Sequence, residues 1–267
     1  SSVFTITGTP TQSGMFNYTV TTSGPCNNVS LSGTITVNDN STINLSSAFG
    51  TGGQTICINN AITAITYAIG GGGTSASITA GALPAGVTGS YSSGVFTISG
   101  TPTQSGSFSY TVTTGGPCTN VSLSGTITVN ANATISLSSG SGTQTVCINT
   151  GIIPVAYTMG GSAINVSITA GSLPAGVTGS FSGGVFTISG TPTQSGTFNY
   201  TVTTAGPCAN PSLNGSITVY PTPVVNAVSN ASYCNNSSSA GISFSTSTPG
   251  TATYNWTSTA DAGFGTN

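Results

Sequence analysis

The sequence predicts an all-β protein made of tandem two-sheet sandwiches. One stretch occurs three times, at residues 3–26, 95–118 and 185–208, and its starts are separated by 92 and 90 residues. That period is the size of a small domain. Within each copy apolar and polar residues alternate, as in half-buried strands, and no stretch has the 3.6-residue period of a helix.

The repeat period divides the chain into four segments. Residues 1–38 correspond to the C-terminal half of a repeat, whereas residues 39–129 and 130–219 are complete repeats. Residues 220–267 begin a different module, and Pro221 and Pro223 mark a stiff linker at its start. We interpret the chain as a window from a longer tandem array, with the sandwiches in an elongated arrangement.

Each complete repeat predicts about seven short strands separated by Gly- and Pro-rich turns, the pattern of an immunoglobulin-like sandwich. Turn clusters such as Gly100-Thr-Pro102 separate the alternating runs. The apolar positions expected to face the first core are Ile65, Tyr67, Ile69, Phe108, Tyr110, Val112, Val121, Leu123, Ile127 and Val129. Those expected in the second repeat are Val155, Tyr157, Met159, Ile164, Val166, Ile168, Phe198, Tyr200 and Val202.

Charge is almost absent from the chain. There is no Lys, Arg or His, and Asp39 and Asp261 are the two acidic residues. Without cations the surface cannot neutralise phosphates, which excludes nucleic acid and a basic lipid anchor as partners. No apolar run approaches the roughly 20 residues that a membrane-spanning helix needs, so we expect no membrane insertion in this segment.

The same composition argues against an enzyme. Serine is abundant, but no His or Lys is present to activate a nucleophile. Asp39 and Asp261 belong to different modules and cannot act as a pair. No CxxC spacing suggests a metal, and the linker sequence Asn38-Asp39-Asn40 is a poor calcium site because its counterpart at 130–132 lacks the acid. We therefore predict no catalytic, cofactor or metal site.

Six cysteines predict disulfides rather than metal ligands. One pairing joins Cys57 to Cys118 and Cys147 to Cys208, each pair 61 residues apart, and leaves Cys26 and Cys234 without partners through truncation. In the alternative pairing, each cysteine is bonded to its neighbour in the sequence across a domain junction, and no cysteine is left without a partner. We favour the first pairing, because Cys57 and Cys118 are expected at one end of the sandwich. Neighbour pairing must bridge a strand of about 30 Å.

Three tyrosines recur at the same place in the repeat, namely Tyr18, Tyr110 and Tyr200. Exposed, they would offer stacking platforms for sugar rings. Their position within an alternating strand instead favours buried tyrosines, in the manner of the tyrosine corner of immunoglobulin-like domains.

Three sequence blocks resemble the tandem Ig-like repeats of bacterial surface proteins. They are Leu83-Pro-Ala-Gly-Val-Thr-Gly, the block from Gly94 through Gly100-Thr-Pro-Thr103, and the aromatic strand that follows Gly106. The resemblance covers residues 1–219. The tail, with Tyr254-Asn-Trp-Thr257, is similar to the PKD-like modules found beside such repeats.

Together these segments resemble the large cell-surface adhesins of Bacteroidota-type gliding bacteria. The resemblance implies a secreted, extracellular stalk or fibre segment on the cell surface, with a role in attachment or gliding. Its partners would be neighbouring repeats of the same chain and surface polysaccharide or substratum. Two alternatives remain: a self-polymerising filament protomer joined by strand complementation, and the spacer of a secreted polysaccharide-active protein.

Overall fold

The computed structural model describes residues 2–248 and 253–258, and within them all regular secondary structure is β. These residues form eighteen strands and no helix. The chain divides into two compact units, Ser1–Asn132 and Ala133–Asn267. The all-β prediction is therefore confirmed.

The first unit contains a two-sheet sandwich formed by residues 41–130, called here the first sandwich. Its strands are β3 (Ser41–Leu45), β4 (Gly53–Cys57), β5 (Ile65–Gly71), β6 (Ser75–Gly81), β7 (Val87–Ser92), β8 (Val95–Gly100), β9 (Gly106–Gly115) and β10 (Ser122–Asn130). One sheet has the order β3-β5-β8-β7 and the other the order β4-β10-β9-β6. This is the arrangement of an immunoglobulin-like domain.

Alternation along the strands builds the core between the two sheets. In β5 every second residue, from Ile65 through Tyr67 to Ile69, is buried, and the residues between them are partly exposed. Strands β8, β9 and β10 contribute Ile98, Val112 and Ile127 in the same way. Full burial of one such aliphatic side chain contributes roughly 1.5–3 kcal/mol, so the sequence pattern itself drives the two sheets together.

The chain changes sheets between β3 and β4. Strand β3 pairs antiparallel with β5 in one sheet. After a loop containing Gly50 and Gly52, β4 pairs parallel with β10 in the other sheet, from Gly53 opposite Thr126 to Cys57 opposite Asn130. Gly50 has a φ of 87°, which an L side chain rarely adopts.

The second unit contains an equivalent second sandwich, formed by residues 134–220. Its sheets have the orders β11-β13-β16-β15 and β12-β18-β17-β14, and β12 pairs parallel with β18. Its strands are β11 (Thr134–Ser139), β12 (Thr143–Cys147), β13 (Val155–Gly160), β14 (Asn165–Gly171), β15 (Val177–Ser182), β16 (Val185–Gly190), β17 (Gly196–Ala205) and β18 (Ser212–Tyr220). The expected core position Ile164 lies just before β14 and is exposed.

Residues 2–38 form only a hairpin of β1 (Gly14–Thr21) and β2 (Ser30–Val37). Residues 3–8 repeat the sequence of β8 with one change, Ile-Thr for Ile-Ser, yet they form no strand. The physical reason is the lack of neighbours: β8 is hydrogen-bonded to β5 and β7, and residues 1–38 contain no counterpart of either. A strand sequence without partner strands stays irregular.

The segment after the second sandwich has little regular structure in its described part. Residues 221–248 and 253–258 contain one isolated bridge, between Val225 and Thr246, and no strand. Trp256 is exposed there. Asp261 and the rest of residues 259–267 lie outside the described residues, as do residues 249–252.

Candidate functional site

The chain enters and leaves the first sandwich at opposite ends. At the start of β3, the amide of Ser41 donates to the carbonyl of Thr119 in the β9–β10 turn, at 3.1 Å. Strand β10 then runs the full height of its sheet and ends at Asn130, beside Cys57. The two ends are separated by the length of this nine-residue strand, or about 30 Å.

The parallel ladder between β4 and β10 links the beginning of the domain to its end. A pull on the two chain ends moves β4 and β10 in opposite directions along their own axes, so the hydrogen bonds between the five paired residues are loaded in shear and at the same time. The second sandwich has the same ladder, from Thr143 opposite Ser216 to Cys147 opposite Tyr220. We call these two ladders, with the residues that anchor them, the candidate functional site.

A glycine carbonyl anchors each ladder at its first residue. The carbonyl of Gly52 accepts a hydrogen bond from the amide of Thr126 at 2.9 Å and another from the hydroxyl of Tyr110 at 3.3 Å. In the second sandwich the carbonyl of Gly142 accepts from Ser216 at 2.8 Å and from Tyr200 at 3.4 Å. The loop that changes sheets is thereby fastened to both the last strand and the core.

Each of these tyrosines also contacts a tyrosine of the opposite sheet. The hydroxyl oxygens of Tyr67 and Tyr110 are 3.0 Å apart, and both side chains are almost fully buried. Because Tyr110 donates to Gly52, Tyr67 donates to Tyr110. Burial, followed by the hydrogen bond to Tyr67, raises the pKa of Tyr110 well above its ordinary value, and the same causes raise the pKa of Tyr200.

Glycine on the neighbouring strand makes room for the tyrosine ring. Tyr110 lies directly over Gly125 of β10, and a Cβ at that position would overlap the ring and hydroxyl of the tyrosine. Gly215 has the same relation to Tyr200. Only the smallest residue allows the ring to lie flat against the strand and reach the carbonyl of Gly52.

A glutamine joins the ladder to the loops on either side of β4. The side-chain amide of Gln54 in β4 donates to the carbonyl of Thr63 at 2.9 Å and to that of Thr51 at 3.1 Å, while its oxygen accepts from the amide of Thr63 at 3.0 Å. Gln144 makes the same three contacts in the second sandwich, with Ser141 and Ile153.

Sequence reasoning missed this glutamine. A signal for it exists, since a glutamine stands three residues before a cysteine in both repeats, as Gln54-Thr-Ile-Cys57 and Gln144-Thr-Val-Cys147. Its role depends on backbone groups that no sequence pattern displays.

The expected disulfides are wrong in the structure. Cys118 and Cys147 have free thiols, whereas Cys57 and Cys208 are each disulfide-bonded. The Cys118 sulfur lies 3.5 Å from the carbonyl oxygen of Asn38, at the β9–β10 turn. Cys26 and Cys234 are exposed free thiols.

The physical reason is the direction in which β4 runs after the chain has crossed from one sheet to the other. We expected Cys57 and Cys118 at the same end of the sandwich. Because β4 runs parallel to β10, Cys57 lies at the far end of β10, beside Asn130. Cys147 lies likewise beside Tyr220, at the end of β18, while Cys208 lies in the turn that precedes β18. Each expected pair is thus separated by the length of a strand, about 30 Å, where a disulfide tolerates about 4.4–6.8 Å between Cα atoms.

The recurring tyrosines behave differently in the three copies. Tyr110 and Tyr200 are buried, as predicted, but their hydrogen bonds cross to the other sheet and to a distant carbonyl rather than forming a local corner. Tyr18 is 38% exposed, so the prediction of burial is wrong for it. Buried rings offer no platform for sugar stacking in either sandwich.

The outer face of the β10 sheet is covered with paired hydroxyl groups. Across β9 and β10, Thr113 contacts Ser122 at 2.8 Å and Thr111 contacts Ser124 at 2.9 Å, and Thr113 also contacts Thr79 of β6 at 2.6 Å. Such cross-strand pairs contribute roughly 0.2–1 kcal/mol each. They keep the face hydrophilic without charge.

Among residues 2–248 and 253–258, no three His, Cys, Asp or Glu side chains are grouped as metal ligands. Asp39 is exposed. In the same part of the chain, no helix is long and apolar enough to cross a membrane.

No protein-family model matches the chain. No curated protein matches it either. Among solved structures, it is similar to a three-domain Ig fragment of titin carrying an E-to-A mutation, with 14% identity over 70% of this chain and 68% of that one and a TM-score of 0.52.

A fragment of titin from the I-band gives 14% identity over 64% of each chain, with a TM-score of 0.49. An endo-fucoidan hydrolase of glycoside hydrolase family 107 gives 15% identity over 79% of this chain and 34% of that one, with a TM-score of 0.28. The similarity to the first fragment supports a tandem immunoglobulin-like fold and nothing further about activity.

Proposed function

We propose that the chain is a load-bearing stalk segment of a large secreted adhesin on a bacterial cell surface. In this role the domains carry tension between an anchored end and an attached end, and the same polypeptide supplies neighbouring repeats as the principal partners. The resemblance of residues 1–219 to bacterial surface repeats supports the surface location and the role in attachment or gliding.

One observation carries the load-bearing function. In each sandwich the second strand along the chain (β4 or β12) is paired in parallel with the last strand (β10 or β18). The chain enters and leaves each sandwich at opposite ends. Tension along the chain therefore loads the whole ladder at once, and no bond opens before its neighbours. A glutamine and a tyrosine hold the start of the ladder to the rest of the domain.

The uncharged surface suits an extracellular stalk. With no Lys, Arg or His and two acidic residues, the free energy of folding depends little on surface ion pairs, which salt screens within about 10 Å at 0.1 M. The paired hydroxyls hydrate the surface at any ionic strength. They also present repeated weak hydrogen-bonding groups to neutral polysaccharide, where many contacts add through multivalency.

Single-molecule stretching of the whole chain in reducing buffer, which opens the disulfide bonding of Cys57 and Cys208 so that both sandwiches can extend fully, tests the load-bearing function when the chain is held at its two ends. We expect two high-force unfolding events, each releasing about 300 Å for a domain of about 90 residues. The β1–β2 hairpin supplies an internal control, because Gly14 and Val37 are paired at its open end, and a pull there breaks one pair at a time. If the sandwiches open at forces no higher than this hairpin, the chain is no load-bearing stalk.

The surface location has its own test. Antibodies raised against residues 39–219 should label intact, unpermeabilised cells of the source organism. Labelling that appears only after permeabilisation would contradict secretion, and it would leave the mechanical result unaffected.

A further inference from the structure

A groove crosses the outer face of the sheet that holds the parallel ladder. In the first sandwich its volume is about 460 Å³. One wall is the hydroxyl pair of Thr111 and Ser124, whose oxygens are 2.9 Å apart, and the other is the pair of Ser109 and Thr126, at 3.1 Å. The floor is the backbone of the row between them, at Gly125, which has no side chain. Both walls therefore present hydroxyl groups to a molecule in the groove.

The groove is open at both ends. It crosses four strands, from Gly53 of β4 to Ala80 of β6, and at the usual strand spacing this makes it about 14 Å long. Its walls are two residues apart along each strand, or about 7 Å. Because neither Gly53 nor Ala80 has a long side chain to close the groove, an extended polymer chain can lie along it and continue beyond either end.

The second sandwich repeats the groove with side chains of greater hydrogen-bonding capacity. Its volume is about 410 Å³, and Asn199, Thr201 and Asn214 line it. The hydroxyl of Thr201 donates to Oδ1 of Asn214 at 2.9 Å, so the NH2 group of Asn214 remains as a donor. The two asparagines stand where the first repeat has Ser109 and Ser124, and both are exposed. Each complete repeat thus carries one groove with polar walls at the same positions.

We propose that each groove binds one chain of a linear, neutral polysaccharide. The inference rests on the proposed role in attachment and gives that role a site. Ser, Thr and Asn side chains both donate and accept hydrogen bonds, as the hydroxyl groups of sugars do. Among the described residues that line the two grooves none is charged. The chain has no Lys, Arg or His, so an anionic polysaccharide would find no cation to pair with.

A single groove should bind weakly, and the repeats should bind strongly together. The contacts are hydrogen bonds that compete with water, and the ring of Tyr110 beneath the floor is buried, so no sugar can stack on it. A polysaccharide offers the same groups at every repeating unit, and the two grooves of one molecule can therefore bind the same particle. Attachment then depends on the number of grooves, through multivalency.

Sedimentation of the whole chain with insoluble polysaccharide particles tests the site. The chain should bind to at least one of the neutral particles cellulose, chitin and mannan, and less to carboxymethyl cellulose, which adds carboxylates to the same backbone. The groove variant carries Thr111→Val and Ser124→Ala in the first sandwich and Thr201→Val and Asn214→Ala in the second. Because one wall is lost from both grooves, the affinity for the neutral particle should fall by about tenfold or more.

The matched control removes one hydroxyl pair per sandwich from the same two strands and the same face, in a row outside the groove. It carries Ser107→Ala and Thr128→Val in the first sandwich, and Thr197→Val and Thr218→Val in the second. Its affinity should equal that of the unsubstituted chain. Both variants should melt at nearly the same temperature as the unsubstituted chain, because the changed side chains lie on the outer face of the sheet.

The other results overturn the proposal in distinguishable ways. If the chain binds a neutral particle and the groove variant binds equally well, or the control loses as much affinity, the groove is not the site and the attachment role still stands. If the chain binds none of the neutral particles, attachment to polysaccharide fails together with the groove, and the stretching result is unaffected. Tighter binding to carboxymethyl cellulose than to cellulose would contradict the neutral class of ligand.

Discussion

The hydroxyl oxygens of Tyr67 and Tyr110 lie 3.0 Å apart between the two sheets of the first sandwich, and those of Tyr157 and Tyr200 lie 3.2 Å apart in the second. Tyr67 belongs to the β3-β5-β8-β7 sheet and Tyr110 to the sheet that holds the parallel ladder. The pair is a polar link between the two sheets within a mainly apolar core. Through Gly52 it extends to the start of the ladder.

The substitution Tyr110→Phe should destabilise the first sandwich. It removes the donor to the Gly52 carbonyl and leaves the buried hydroxyl of Tyr67 without its acceptor, a loss of about 1–2 kcal/mol. Urea unfolding followed by hydrogen exchange measures this free energy for each sandwich in the same molecule. The second sandwich should be unchanged.

Tyr18→Phe is the matched control for this effect. Tyr18 has the same sequence environment but is exposed and makes no hydrogen bond within the described residues, so the free energy of unfolding should change by less than about 0.5 kcal/mol. An equal loss from Tyr18→Phe would mean that the buried hydrogen bonds are not the cause.

Stability should fall only at high pH. The pKa values of Tyr110 and Tyr200 are raised above those of unfolded tyrosine by burial and by hydrogen bonds. Below the unfolded pKa of about 10 both states hold the proton, and the stabilisation is fully present. Above it the unfolded chain loses protons that the folded chain keeps, so the free energy of unfolding decreases with rising pH.

Thermal unfolding from pH 5 to pH 12 measures this profile. With no His in the chain, the melting temperature should be nearly flat between about pH 5 and 8. A chain with both Tyr110→Phe and Tyr200→Phe should lose less stability above pH 10 than the unsubstituted chain. An identical decline in the two chains would assign the pH dependence to other groups.

The fold was predictable from the sequence because its signals are local. Alternation in residues 65–69 and 108–112 placed the correct side chains inward. Residues 3–8 show the limit of local signals, since they repeat the sequence of β8 with one change and form no strand. Strand formation there depends on neighbours that the local pattern does not contain.

The candidate site was less predictable, because it depends on strand direction. A short run such as residues 53–57 has the same alternation whether it pairs parallel or antiparallel. The expected pair Cys57 and Cys118 required the wrong direction for β4, and its parallel pairing with β10 moved Cys57 to the opposite end. The contacts of Gln54 are with backbone groups and leave no complementary side chain for a pattern to reveal.

The substitution Gly125→Ala should destabilise the first sandwich strongly. The added methyl group overlaps the ring of Tyr110, which is packed in the core and has no room to move, and overpacking of this kind costs about 1–3 kcal/mol. Displacement of the ring also breaks the hydrogen bond to Gly52. Urea unfolding of the first sandwich measures the loss.

The same substitution at Gly33 separates overpacking from a general effect of alanine in a strand. The ring of Tyr18 overlaps the new methyl group there as well, but this ring is exposed and can rotate into solvent. Gly33→Ala should therefore change stability by no more than about 0.5 kcal/mol. A large loss at Gly33 would contradict the explanation by confined packing.

The substitution Gln54→Leu should weaken the ladder of the first sandwich. It keeps the size of the side chain but removes three hydrogen bonds. Because Thr63 is exposed and water can replace its lost partner, the cost should be about 0.5–1.5 kcal/mol. Under tension the first sandwich should then open before the second, which retains Gln144. Gln104→Leu is the control, since Gln104 is exposed in the loop before β9, and it should leave both opening forces unchanged.

Alkylation of the denatured, unreduced chain should label four of the six cysteines. Cys26, Cys118, Cys147 and Cys234 are free thiols, and Cys57 and Cys208 are disulfide-bonded. Iodoacetamide should therefore modify those four before reduction, and all six after it, with the positions located by mass spectrometry. The pairing expected from the sequence would instead leave only Cys26 and Cys234 reactive. That result would require β4 to run in the opposite direction, because only then does Cys57 lie at the same end of the sandwich as Cys118.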